Sequence, residues 1–198
     1  MTGLGEQLKA LARLSLEDPR AGTRALLGLG VPLPARSLGL LLTAVASAFM
    51  MHLGFLILPP GDDPMAQFIA ESPLRTAVIQ WVFLAASVLL IFRIGQAWGG
   101  RGSLQDTLLV MVWLQLIMLG VQILQLVVLL ISPPVAGILN LLGLGLFFWL
   151  MTSFIAELHG FQSRGAVLAG ILVAGFGVAL LIVVLLMLIF GPEAIANV

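Results

Sequence analysis

The chain contains no cysteine and no tyrosine. The first absence excludes disulfides, thiolate nucleophiles and Cys-ligated metal centres. The second leaves Trp and Phe to form any aromatic belt at a membrane interface. Charge is scarce too. Asp, Glu, Lys and Arg make up 9% of the 198 residues, against about a quarter in an ordinary soluble domain. So few charges do not cover a water-facing surface. The formal net charge is zero, so nothing points to nucleic acid as a partner. Glu6, Lys9, Arg13, Glu17, Asp18, Arg20 and Arg24 interrupt the N-terminal segment throughout, so no cleavable signal peptide is expected. Gly-x-Ser-x-Gly, His-Glu-x-x-His and Walker patterns are missing. With two histidines, His52 and His159, falling toward opposite sides of a membrane, neither a metal site nor a cofactor is expected.

Hydrophobic residues account for 61% of the chain, and mean hydropathy is +1.17. These values predict an integral membrane protein. Residues 3–15 place Leu4, Leu8, Leu11 and Leu14 at helical spacing, with Glu6, Lys9 and Arg13 opposite. Such a helix lies in the headgroup layer or packs on the bundle end. Asp18-Pro19 reads as an N-cap followed by proline at the first helical position. Five apolar runs follow, at about 35–58, 74–98, 104–131, 135–159 and 165–190, each long enough for the roughly 20 residues a span needs. "MAQFIAES", within residues 61–72, reads as a short interfacial helix or a loop. Lys9, Arg13, Arg20, Arg24, Arg36, Arg93, Arg101 and Arg164 fall on one side of the membrane. Arg75 is alone on the other, near Asp62, Asp63 and Glu71. The basic side is expected to be cytoplasmic, which puts the N-terminus inside and the C-terminus outside.

The segment "RIGQAWGGRGSLQD", residues 93–106, is a polar island between two apolar runs. It reads first as a hairpin, with Gly99, Gly100 and Gly102 permitting the turn and Ser103 as an N-cap. Ionisable groups in or beside spans are candidate sites. Arg93, Arg101, Asp106, Glu157, His159 and Arg164 all fall at one cytoplasmic level. Arg93 either snorkels to headgroups or pairs with Asp106. Alternatively the two form a pocket, completed by Glu157 or His159, for an anionic headgroup, a proton or a cation. Glu157 and His159 are two apart, so they point roughly 160° away from each other on a regular helix. Along span three, Gln115, Gln122 and Gln125 fall within about 80° of one another. They act as interhelical glue or line a hydrophilic cavity with Asn140 and Gln80. Span three is then expected at the centre of the bundle. The small residues Ala44 and Ala48 of span one, and Ala166, Gly170 and Ala174 of span five, allow close helix approach.

A charged N-terminal segment with "DPR", five tightly spaced spans, "GGRGS" opening span three, "HG" closing span four and a small-residue-rich span five occur in that order. This arrangement resembles the Yip (Rab/Ypt-interacting protein) family of five-span membrane proteins, in its prokaryotic branch, from about Asp18 to Phe190. The resemblance implies an all-α polytopic bundle and a scaffold role. Eukaryotic members act in vesicle traffic and bind prenylated small GTPases through cytosolic parts. No catalytic residue carries over from it.

The expected architecture is therefore all-α: a cytoplasmic amphipathic or interfacial segment over 1–34, a five-helix transmembrane domain over 35–190, and an extracytoplasmic tail over 191–198. Function reads as a non-enzymatic scaffold or accessory protein of the bacterial inner membrane. Its partners would be lipids and either a membrane protein or further copies of itself. The alternatives are a small transporter or channel for a lipid, ion or small solute and, third, a lipid-active enzyme with Glu157 or His159 as acid or base.

Overall fold

A computed structural model describes residues 3–190, so the expected tail at 191–198 lies outside the described residues. Two units are distinguished, Met1–Phe161 and Gln162–Val198. The described residues form helices α1 (Leu4–Glu17), α2 (Pro19–Gly28), α3 (Leu33–Ile57), α4 (Pro64–Ala70), α5 (Pro73–Ala97), α6 (Leu104–Ile131), α7 (Pro133–His159) and α8 (Arg164–Phe190).

Several boundaries follow from capping chemistry. The Asp18 carboxylate accepts the backbone N–H groups of Arg20 and Ala21, with Pro19 opening α2. Asp63 does the same for Met65 and Ala66, so "MAQFIAES" contains a helix. Ser72 and Ser103 cap α5 and α6 through Arg75 N–H and Asp106 N–H. Each cap satisfies a donor that the first helical turn leaves orphaned. At the far end of α7, Gly160 takes a left-handed backbone with φ 76°, and Phe161 N–H closes onto Ala156 O. This is a Schellman-type stop, and glycine is favoured there because it has no Cβ to clash.

Helices α3, α5, α6, α7 and α8 are each long and apolar enough to cross a membrane. Within Met1–Phe161, α6 is the hub and packs against α2, α3, α5 and α7. Leu109 through Leu114 are all buried in succession, which requires protein on every side of the helix. On α3, Ala44 and Ala48 are fully buried. Gly39 lets Val112 approach closely, since a Cβ there would lie 2.9 Å from its Cγ1. Farther out, apolar side chains project from the spans, as with Leu56, Ile131 and Leu141. Hydrocarbon, not water, is the solvent for that surface. The unit therefore behaves as a membrane-embedded bundle with α6 as its axis.

The N-terminal helices pack on the end of this bundle. Leu11 and Leu26 join the core, and Trp113 Nε1 donates to the buried Ser15 Oγ at 2.9 Å. α1 and α2 meet at Gly22, where a Cβ would lie 2.7 Å from Ser15 Cα. Leu4, Leu8 and Leu16 remain exposed. The amphipathic segment is thus docked through Leu11 and Ser15 and still presents an apolar fringe.

Candidate functional site

Three polar constellations gather where α1 and α2 meet the bundle. The first centres on Asp106. Its partner is Arg36: Nη1 lies 3.0 Å from Oδ1. The same guanidinium donates from Nη1 to Gln105 O and from Nε to Val31 O, both at 2.7 Å. Ser103 Oγ donates to Asp106 Oδ2 at 2.6 Å. Arg36 is almost fully buried. Carbonyls and a carboxylate therefore replace the water it loses.

The expected Arg93–Asp106 pair is not formed. Arg93 is exposed on α5, and Asp106 turns instead to the start of α3. The reason is geometric. α6 packs extensively along α3, and Arg36 opens α3 at the depth where Asp106 opens α6. Sequence reasoning used Arg36 only for topology and so missed it as a site residue.

The second constellation clamps α2 to the end of α7. Arg24 Nη1 donates to Glu157 Oε1 at 2.9 Å, Arg20 Nε lies 4.0 Å from Oε2, and Arg20 Nη2 donates to Phe161 O at 3.0 Å. Glu157 is thereby committed to α2. His159, two residues on, points elsewhere, as the helical angle requires.

The third constellation is His159 itself, and it changes the meaning of the glycines at 95–102. The imidazole is buried at 2% exposure and stacks on Phe161 with centroids 5.5 Å apart. A Cβ on Gly95 would lie 2.0 Å from Nε2, one on Gly100 2.6 Å from Cδ2, and one on Gly102 3.0 Å from Nε2. Arg101 N–H also donates to His159 O at 3.2 Å. Of the glycines in this stretch only Gly99 has a positive φ, 82°. Gly100 and Gly102 lie in the turn as expected, Gly100 N–H closing onto Gly95 O at 2.8 Å, and together with Gly95 they also form a cradle that admits the ring. The polar island is a socket for the C-terminal residue of α7.

Arg101, exposed in the α5–α6 turn, contributes its backbone here, while Arg164 opens α8 in the separate unit. The structure thus divides the six expected cluster residues. Asp106, Glu157 and His159 each sit in a distinct internal contact, and Arg93 and Arg101 stay on the surface. Among the described residues no group of three His, Asp or Glu side chains could hold a metal.

The amides of α6 behave differently. Gln115, Gln122 and Gln125 line a cleft of about 240 Å³ against α7, together with Met118, Val121, Gly143 and Phe147. Gln125 Nε2 reaches Asn140 Oδ1 at 3.5 Å, at the long limit for a hydrogen bond. Gln122 Oε1 is buried and meets no protein donor. Gln80 does not line this space.

Comparison with curated proteins and with solved structures gives no match. The Yip1 domain family, in contrast, matches residues 15–187, from the α1 turn that carries Ser15 into α8. With its five membrane-crossing helices, the chain belongs to the Yip1 domain family.

Proposed function

We propose that this protein is a non-enzymatic scaffold or accessory protein of the bacterial inner membrane, with its N-terminus in the cytoplasm. One observation carries the reading. Asp106, Glu157 and His159, the groups best suited to chemistry, are engaged by Arg36, by Arg24 with Arg20, and by the glycine cradle. A general acid or base needs reach to a substrate; the two carboxylates are spent on holding helices together, and the His159 ring is buried. What the same end offers outward is α1, fixed to the bundle by Trp113 and Ser15, with Leu4, Leu8 and Leu16 exposed beside Lys9 and Arg13. That surface suits lipid headgroups and a membrane-protein partner. The orientation is supported by the basic bias of this end. Arg75 is already paired with Glu71 at 3.1 Å and lies over the Phe68 ring.

Mild extraction into polymer nanodiscs, followed by mass spectrometry, tests the reading. The expected result is a stoichiometric membrane-protein partner, lost in the Leu4→Glu/Leu8→Glu variant and kept in Gln122→Leu. The second reading, a small transporter, is favoured by the amide cleft alone. It requires solute flux in proteoliposomes of the purified chain. Flux without a partner would replace the scaffold reading.

A further inference from the structure

We propose that the α6–α7 cleft is a binding site for an uncharged, hydroxyl-bearing group such as the glycerol end of a neutral lipid. The argument starts from what the amides do not do. As interhelical glue they would pair across the interface. Only Gln125 finds a partner on α7, at 3.5 Å, while Gln122 Oε1 is buried without a protein donor. An unpaired buried carbonyl is costly, and within a span there is no bulk water to relieve it. A ligand that donates a hydrogen bond would.

The lining then selects the ligand. Gln115, Gln122, Gln125 and the adjoining Asn140 each offer a donor and an acceptor. That combination suits hydroxyls, which also do both. No ionisable side chain lines the cleft, so a phosphate or ammonium would be buried uncompensated. Met118, Val121 and Phe147 supply an apolar wall for an attached chain. The volume, about 240 Å³, is roughly eight times the share of one water molecule, enough for a glycerol unit and the start of an acyl chain. Gly143 keeps the floor open: a Cβ there would lie 3.0 Å from Gln125 Nε2. At about 1.5 Å per residue, Gln115 lies near mid-span and Gln125 roughly 9 Å short of the end of α6. The cleft therefore spans the depth between the acyl region and one headgroup layer. This site is separate from the α1 surface invoked above and does not depend on it.

The test uses the full chain in phosphatidylcholine nanodiscs and a diacylglycerol with a diazirine on one acyl chain. Saturable labelling is expected on the segment spanning Gln115 to Phe147. It should fall about tenfold in Gln122→Leu, the factor that one lost hydrogen bond produces. Gly143→Leu, which fills the cleft from the other wall, should reduce it comparably. Folding of both is checked by circular dichroism and elution volume, and either variant alone suffices. Competition by unlabelled diacylglycerol identifies a lipid source. Competition by free glycerol identifies a soluble one, and both support the site. Labelling elsewhere, labelling unchanged in a folded variant, or equal competition by phosphatidic acid would overturn the proposal.

Discussion

The two ends of α6 carry polar residues in opposite conditions. Near its start, Asp106 is met by Arg36 and by the Ser103 hydroxyl. Glu157 is paired with Arg24, and the His159 ring is packed among glycines with Nδ1 on Ile155 O and Nε2 alone unpartnered. Toward its other end, Gln115, Gln122 and Gln125 face a cleft with a single long contact to α7. Both sets are polar groups in a membrane protein, where each costs free energy unless satisfied. The difference teaches which set is structure and which is available. Polar groups consumed by internal partners hold the fold, and those left open are where a ligand can act.

The sharpest way to break that comparison is at the His159 socket. Gly95→Ala puts a methyl group where the ring already stands, 2.0 Å from Nε2. Overpacking of this kind costs typically about 1–3 kcal/mol, and the upper end is expected because Gly100 and Gly102 block the ring's retreat. His159→Ala in the same chain should recover much of the loss, a non-additivity that only direct contact produces. Thermal unfolding of the two single variants and the double in detergent micelles measures it. Simple addition of the two effects would mean the cradle is incidental.

Next comes the Arg36–Asp106 pair. Breaking a buried pair costs about 3–5 kcal/mol. The Asp106 side chain is 39% exposed, so about 2 kcal/mol is expected for Arg36→Met. Arg93→Ala should stay within about 0.5 kcal/mol, as for a surface site. Denaturant midpoints of the two variants decide it, and the reverse ranking would restore the Arg93 pairing.

A smaller effect is expected where α1 crosses α2. A Cβ on Gly22 meets the backbone of Ser15 at 2.7 Å, so a flexible side chain has no room to yield. Gly22→Ala should undock α1 at a cost of about 1–2 kcal/mol while the spans keep their melting temperature. Hydrogen exchange confined to Leu4–Glu17 would report it. Loss of protection in α3 or α6 would show instead that the segment is integral to the bundle.

Much of this architecture was legible in the chain. The five spans begin within two residues of their expected positions, and α6 matches at both ends. Runs of apolar residues closed by Ser, Pro and Gly carry that information locally. Asp18, Ser103 and Gly160 act at their own helix ends, so their roles were readable too, or nearly so. Arg36 with Asp106, and Gly95 with His159, join residues far apart in sequence. No local pattern encodes which element end meets which. One signal was overlooked: Gly95 stands inside a helix, where a turn has no need of it, and a helical glycine costs about 1 kcal/mol unless something packs against it. The amides were found as a stripe because a single helix carries them, while their lack of partners depends on α7 and was invisible.

The smallest effect is the most discriminating. If the amides were glue, Gln122→Leu would destabilise the bundle by about 0.6–2 kcal/mol. If they line an open cleft, leucine removes a buried carbonyl that has no donor and adds apolar contact with Met118 and Phe147. Replacing an unsatisfied polar group in this way is neutral or stabilising by about 1 kcal/mol. A melting temperature held or raised in lipid-free detergent, against the loss expected for Arg36→Met, would separate the two ends of α6 by energy as well as geometry. A fall in melting temperature would make both ends structural and leave the cleft without a reason to be polar.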